Sequence, residues 1–176
     1  MKHSIAWWNR TKNNPAALHR WLIQQYRGEA TAASRIEQLR DAHGIDDARA
    51  SHILTVIACQ ERKHADWVAQ LLRVRGIPLP ALAGATGRYW KEPLQEIHDL
   101  QTGCAVGAHA EAMRLARIEA IAEDDEAPED IREVFQRILP EERFHEHAFR
   151  MLAGEQAMEA TRDAHDLGQR ALGLVP

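Results

Sequence analysis

Two Glu-x-x-His segments are the parts of this chain best suited to bind metal ions. Glu61 and His64 form the first pair, and Glu142 and His145 form the second. Residues three positions apart lie on one face of an α-helix, so each pair could offer a carboxylate and an imidazole to one ion. Such a pair also arises by chance in a chain rich in Glu and His, so the motif alone is only a hypothesis. The rest of the chain must show whether the two pairs belong to a site.

The composition of the chain predicts an all-α protein with no nucleic-acid partner. Helix-favouring Ala, Leu, Glu, Gln and Arg are abundant, and no run alternates as a strand would. A length of 176 residues suits a single domain, residues 1–176, with a substantial core. The formal net charge of -4 gives no basic field for nucleic acid or a membrane surface. The chain has no 18-residue apolar run, and Cys59 and Cys104 are well separated, so we expect a cytoplasmic protein without membrane helices.

Apolar residues recur at intervals of three and four, which predicts an antiparallel bundle of four long helices. Asn14 and Pro15 suit the start of the first helix, because Asn caps a helix and Pro fits its first turn. Pro140 is expected to kink the fourth helix, and Gly154 either ends that helix or is followed by a further helical segment. The four helices are predicted at about 15–43, 46–75, 92–123 and 131–152.

The segment 76–91 divides the four helices into two pairs. It is too rich in Pro and Gly for a long helix and too long for an ordinary helix–helix turn. It suits a long crossover between the second and third helices. The predicted organisation is therefore a short N-terminal arm, a bundle core at about 15–154 and a C-terminal helical tail at 155–176.

Two further glutamates stand level with the Glu-x-x-His pairs. In a helical hairpin, residues equidistant from the turn lie at the same level. The midpoint between Glu29 and Glu61 is residue 45, and that between Glu111 and Glu142 falls between residues 126 and 127, each inside a predicted turn. Each of the four is about 16 residues, or about 24 Å, from its turn. Each hairpin therefore brings a lone Glu beside a Glu-x-x-His pair.

The two hairpins repeat the same arrangement, which favours a shared site. Glu61 and Glu142 are 81 residues apart, and Glu29 and Glu111 are 82 apart. All these polar residues lie on apolar stripes, where unpaired buried carboxylates are costly. Two divalent cations would neutralise them, whereas without metal some carboxyls would have to hold protons. The predicted metal ligands are Glu29, Glu61, His64, Glu111, Glu142 and His145.

Some neighbouring residues leave alternatives open. Glu119 could replace Glu111 on the third helix, although its level differs by about two helical turns. Tyr26 lies one turn from Glu29 and could hydrogen-bond a ligand, but a Tyr at such a position is more often a packing residue. Trp7 and Trp8 are expected to pack on the body of the protein or on a partner subunit.

The order and levels of the six predicted ligands resemble the ferritin-like superfamily, and within it the rubrerythrin-type di-iron carboxylate proteins. The resemblance covers about 15–154 and implies a ferritin-like bundle that binds two Fe ions per chain. Glu29 and Glu111 would be the lone carboxylates, and His64 and His145 would each ligate one metal. The same ligand types also accept Mn. The chain has no Cys-x-x-Cys pair, so a rubredoxin-like module is not expected.

The resemblance implies a dinuclear-metal oxidoreductase that acts with O2 or peroxide, similar to a ferroxidase or a peroxidase. Its electron donor cannot be read from the sequence, and a homo-oligomer, in the simplest case a dimer, is expected. Two alternatives remain. One is a cage-forming, ferritin-type iron storage protein. The other is a metal-free helical module used for binding or assembly.

Overall fold

The computed structural model describes residues 2–82 and 87–174, and it confirms an all-α bundle. Within these residues there is no β-strand, and none of the helices is both long and apolar enough to cross a membrane. Two short 3-10 helices, Arg88–Lys91 and Pro93–Glu96, lie between the second and third long helices. The α-helices are α1 (Lys2–Lys12), α2 (Pro15–His43), α3 (Ala48–Val74), α4 (Leu100–Ala122), α5 (Glu129–Ala160) and α6 (Arg162–Ala171).

Helices α2 and α3 pack as one hairpin, and α4 and α5 pack as a second. Two apolar clusters fill the bundle, one around Leu54 and Phe149 and the other around Leu72 and Phe135. Each long helix contributes to both clusters. On α5, for example, Phe135 belongs to one cluster and Phe149 to the other, with Glu142 between them in the chain. The polar residues of the stripes therefore lie in a layer between two apolar layers.

Both helices of the first hairpin begin close to where the sequence predicts. The side chain of Asn14 accepts a hydrogen bond from the Ala17 amide, and Pro15 is the first residue of α2. Asp47 caps α3 by accepting hydrogen bonds from the Arg49 and Ala50 amides. Both caps satisfy amide groups that a helix leaves without internal partners. The Asp47 cap, together with the end of α2 at His43, fixes the length of the turn between α2 and α3. Turn length in turn sets which residues of the two helices stand level.

The predicted start of the third long helix near Glu92 was wrong. Residues Pro93–Glu96 form a separate 3-10 helix, Ile97 is extended, and α4 begins only at Leu100. The reason is a capping box: Asp99 accepts a hydrogen bond from the Thr102 amide, and Thr102 accepts one from the Asp99 amide. This reciprocal cap satisfies amide groups at the start of α4, whereas no side chain caps the 3-10 helix that begins at Pro93.

The connection between the hairpins joins opposite ends of the bundle. Leu72, near the end of α3, belongs to one apolar cluster, whereas Leu100, the first residue of α4, belongs to the other. Part of the predicted crossover, residues 83–86, lies outside the described residues. Among the described part, Tyr89 is buried and its hydroxyl lies 2.8 Å from His165 Nδ1 on α6. The C-terminal helix therefore holds the crossover against the bundle.

The C-terminal and N-terminal segments are both helical and both pack on the bundle. At Gly154 the backbone of α5 leaves the helical region with a φ of 71°, whereas the helix continues through Pro140. At the other end, Trp8 of α1 is buried, and its Nε1 donates a hydrogen bond of 2.7 Å to Asp124. Lys12 Nζ reaches the same carboxylate at 2.8 Å. The arm thus packs on the turn between α4 and α5.

Replacement of Gly168 by Ala tests the contact between α6 and the crossover. A Cβ at this position would lie 2.8 Å from the backbone oxygen of Tyr89, which cannot move without shifting its helix. We expect Gly168→Ala to lower the free energy of unfolding by about 1–3 kcal/mol through overpacking. Gly28→Ala is the control, because its Cβ would meet nothing within 4 Å and should raise stability by about 0.5–1 kcal/mol. Urea unfolding of both metal-free variants measures this, and equal stabilities would contradict the packing of α6.

Candidate metal centre

The structure brings all six predicted ligands together in the layer between the apolar clusters. Glu29, Glu61, Glu142 and both histidines are fully buried, and Glu111 is 4% exposed. Each residue lies on the inward stripe of a helix, so apolar neighbours one or two turns away on either side enclose it. Leu22 and Ile36 lie two turns before and after Glu29 on α2, and Ile138 and Phe149 lie one turn before and after the pair on α5. The packing of the bundle therefore fixes the depth of the site.

The six side chains form two overlapping groups of ligand atoms. One group consists of Glu29, Glu61, His64 and Glu142, and the other of Glu61, Glu111, Glu142 and His145. Within each group the ligand atoms lie within 4.8 Å of one another. Glu61 and Glu142 belong to both groups, and each group takes residues from both hairpins. This arrangement suits two neighbouring ions that share two carboxylates.

Both imidazoles direct Nδ1 toward the carboxylates of the site and Nε2 toward a partner outside it. His64 Nε2 lies 2.8 Å from Glu141 Oε2, so this nitrogen carries the proton and donates a hydrogen bond to that carboxylate. His145 Nε2 lies 3.0 Å from Gln60 Oε1 and donates in the same way. The Nδ1 atoms are left with lone pairs directed into the site, that of His64 at 3.4 Å from Glu142 and that of His145 at 3.2 Å from Glu61. Metal-binding histidines commonly use such an outer partner to fix the tautomer and the ring orientation.

Arg114 of α4 supplies a positive charge to the carboxylates. Its Nη2 atom bonds Glu29 and lies 3.3 Å from Glu142 Oε1. Its Nη1 atom lies 3.5 Å from Glu111 and 3.9 Å from Glu61, at ion-pair distance. Arg114 follows Glu111 by three residues, which places both on the same face of α4. One guanidinium thus contacts all four carboxylates and offsets one of their four formal charges.

Burial and mutual repulsion determine which carboxyls ionise. Burial, together with repulsion from neighbouring carboxylates, raises the pKa of Glu61 and Glu111 well above the usual value, and that of Glu142 is also raised. Burial acts in the same direction on Glu29, but the charge of Arg114 opposes it, and the pKa of Glu29 falls to about 2. Burial lowers the pKa of His145 to about 3, so its imidazole is neutral near pH 7.

The unsatisfied polar atoms of the site fit bound metal ions. In the part of the chain that the structure describes, both oxygens of Glu61, one oxygen each of Glu111 and Glu142, and the Nδ1 atoms of both histidines are buried without a hydrogen bond. Buried polar groups normally have partners, and a cluster without them calls for an explanation such as an ion. Carboxylate oxygen and neutral imidazole nitrogen are also the donor types that iron, manganese and zinc accept. The donor set and its geometry therefore suit divalent cations.

The sequence predicted which six residues meet in the site, but it did not predict the residues that position them. Tyr26 packs against an apolar cluster, and among the described residues its hydroxyl makes no hydrogen bond to a ligand. The side chain that bonds Glu29 from the same helix is Gln25, one turn earlier. Glu119 is paired with Arg143 at 2.9 Å and does not belong to either ligand group. The spacing of Arg114 from Glu111 was a signal that could have revealed its role, because both lie on one face.

Replacement of Glu141 tests the orientation of His64. Glu141 holds Nε2–H of this imidazole and is itself held by Lys63 Nζ at 2.6 Å. We expect Glu141→Ala to weaken Mn2+ binding by about 10- to 100-fold although every predicted ligand remains. Glu146→Ala is the matched control on the same helix, since Glu146 pairs with Arg150 outside the site. Titration of the metal-free proteins with Mn2+ gives both affinities, and equal affinities would show that His64 needs no such support.

The raised pKa values predict that Glu61 destabilises the metal-free protein as the pH rises. A carboxyl whose folded-state pKa is raised binds more protons in the folded state, so stability is lost between the unfolded pKa, about 4.3, and the folded value. Gln mimics the protonated carboxyl at every pH. We therefore expect metal-free Glu61→Gln to be more stable than the parent protein at pH 7.5, with the difference shrinking toward pH 4.5. Urea unfolding of both proteins at pH 7.5 and pH 4.5 measures this. A stability difference between them that does not change with pH would contradict the prediction.

One comparison with known proteins gave a result that agrees with this geometry. The family model described as Rubrerythrin matches residues 22–153, which include all six predicted ligands and most of the four long helices. Comparisons with curated proteins and with solved structures found no match. The matched segment is three quarters of the chain and ends close to Gly154, where α5 leaves the helical conformation. This chain belongs to the rubrerythrin family.

Proposed function

We propose that this protein is a di-iron oxidoreductase that reacts with O2 or peroxide. The observation that carries the proposal is the pair of ligand groups that share Glu61 and Glu142. A pair of iron ions supplies two one-electron steps close together, which is the chemistry needed to reduce an O–O bond. Membership of the rubrerythrin family supports iron as the metal, and manganese is the alternative that the same ligands accept.

The ligands divide naturally between two ions. Glu29 and His64 would hold one ion and Glu111 and His145 the other, while Glu61 and Glu142 would contribute to both. Hard anionic carboxylates favour the higher oxidation state of iron, whereas neutral imidazoles leave the total charge moderate. Bound cations would also offset the cost of burying four carboxyls, because they would supply positive charge next to them.

Among the described residues, apolar side chains cover much of the site and leave a route of access on one side. Apolar layers lie on either side of the ligand layer. Arg114, however, has a side chain that is 21% exposed, and together with Glu111 it borders a cavity that opens to the surface. O2 or peroxide would approach from this side. The guanidinium is also placed to donate hydrogen bonds to an oxygen that gains negative charge next to the carboxylates.

Metal analysis joined to oxygen and peroxide consumption tests the proposal. We expect about two iron ions per chain after anaerobic loading with Fe2+, and rapid oxidation of the ferrous form by O2 or peroxide. Glu61→Ala and His145→Ala should lose both metal and activity, because each removes a ligand. His147→Ala is the matched control, because His147 is exposed on the same helix as His145. Stoichiometric iron that neither O2 nor peroxide oxidises would contradict an oxidoreductase.

The mass of the assembly separates this function from iron storage. We expect a small homo-oligomer, in the simplest case a dimer, with an external electron donor. A closed particle of a dozen or more subunits that mineralises iron would instead identify a storage protein. Purified protein without bound metal, and with ligand variants as stable as the parent in the presence of Fe2+, would favour a helical module with no metal chemistry.

A further inference from the structure

A cavity of about 330 Å³ lies beside the candidate metal centre, between α2 and α4 and beneath the crossover. Small residues create the space: Gly28 and Ala32 line it on α2, and Gly103, Gly107 and Ala110 line it on α4. The α4 wall extends from Gly103 to Arg114, a distance of about 16 Å along the helix. The volume is at the lower end of the range for sites that bind small organic molecules.

The lining of this cavity is apolar except for an excess of arginines. Ile36 and Leu39 of α2, Val106 of α4 and Phe149 of α5 form much of the apolar wall. Four arginines also line the cavity: Arg27, Arg35, Arg88 and Arg114. Glu111 is the one acidic residue among the lining residues, and Arg114 already contacts it. The cavity therefore carries more positive than negative charge on a largely hydrophobic surface.

Two of these arginines are partly buried and lack an anionic partner among the described residues. In the part of the chain that the structure describes, no carboxylate lies within ion-pair distance of Arg27 or Arg35. Arg27 Nε is buried without a hydrogen bond. Arg35 is partly buried, its guanidinium lies 4.3 Å from the centre of the Trp90 ring, and burial lowers its pKa. A desolvated cation without a counter-charge is unfavourable, and an anion bound in the cavity would relieve that cost.

We propose that this cavity binds an amphipathic organic carboxylate, with its carboxylate on Arg35 and its apolar chain directed toward Glu111. Stacking on Trp90 holds the guanidinium plane and leaves its N–H groups free to donate, which matches the fork of a carboxylate. Arg88, two residues before Trp90, adds positive charge at the same end. The apolar chain would lie against Ile36, Val106 and Phe149. This inference goes beyond the proposed oxidoreductase function and does not depend on it.

The orientation follows from the charges at the two ends of the cavity. At one end, the four carboxylates of the cluster already surround Arg114. A carboxylate placed there would be close to the other buried acids and would be repelled by them. At the other end Arg35 stands without an acid among the described residues. An apolar chain that extends from Arg35 would therefore end beside the metal centre, where Arg114 separates it from the ligands.

Calorimetric titration with octanoate, octan-1-ol and octylammonium tests the proposal, because the three share an apolar chain and differ in the charge of the head. We expect octanoate to bind one molecule per chain, and at least tenfold more tightly than the alcohol or the amine. Arg35→Gln should weaken octanoate binding by roughly 10- to 100-fold, as the loss of a charge-assisted hydrogen bond does. Arg35→Lys keeps the charge but loses the paired N–H groups of the guanidinium. Its affinity for octanoate should lie between those of the parent protein and Arg35→Gln.

Two further variants locate the ligand. Gly28→Leu places a larger side chain in the cavity, and a Cβ at residue 28 meets nothing within 4 Å, so the change need not disturb the backbone. It should weaken octanoate and octan-1-ol together. Arg20→Gln is the matched control, since Arg20 is exposed on α2 and does not line the cavity. Thermal unfolding of each variant verifies that it is folded.

Three results would overturn the proposal. The first is no octanoate binding to the parent protein at millimolar concentration. The second is equal affinity for octanoate, octan-1-ol and octylammonium, which would show that the arginines do not select an anion. The third is octanoate affinity that Arg35→Gln leaves unchanged although the variant folds. The titrations use the protein both before and after loading with Fe2+. Octanoate binding can therefore be judged even if the iron is inactive, and iron oxidation can be judged even if octanoate does not bind.

Discussion

The structure depends on placing four carboxylates at one level inside an apolar bundle. Such groups are tolerated only if positive charge or protons compensate for them. Arg114 supplies one charge, and the raised pKa values of three of the glutamates indicate where the remaining compensation is missing. Because each ligand group draws on both hairpins, a pair of cations would also join the hairpins across the bundle. Bound cations would thus compensate the buried carboxylates and hold the four helices together at the same time.

The neighbouring residues Glu141 and Glu142 show how one helix separates ligation from support. Glu142 points inward, is fully buried and has a raised pKa, whereas Glu141 faces Lys63 and its pKa is lowered. Glu141 therefore stays ionised and can hold the Nε2–H of His64. Gln60 does the same for His145 without a charge. Each supporting residue immediately precedes a Glu of a Glu-x-x-His pair, so the repeat includes the outer partner as well as the ligands.

The position of the six ligands could be predicted from the sequence because it depends on regular geometry. Helix rise and short turns fix which residues stand level, and apolar stripes fix which face is inward. Contacts that depend on the reach of long side chains could not be predicted in the same way. Arg114 could have pointed outward, and Gln25 rather than Tyr26 bonds Glu29 because only its amide reaches that carboxylate. The start of α4 was misplaced because Pro93 is a residue type that often begins a helix. The cap at Asp99 and Thr102 depends on two reciprocal hydrogen bonds, which the sequence alone does not reveal.

Arg114 lies on the boundary between the ligand cluster and the cavity, and this position links the two parts of the site. Toward the cluster it contacts every carboxylate, and toward the cavity it forms part of the wall together with Glu111. Cations bound by the six ligands would satisfy the carboxylates that Arg114 now contacts, and so would weaken its attachment to them. In the proposed orientation the carboxylate lies on Arg35 at the other end of the cavity, so Arg114 would meet only the apolar chain. The two parts of the site would then meet at Arg114 through an apolar contact and not through a shared ion pair.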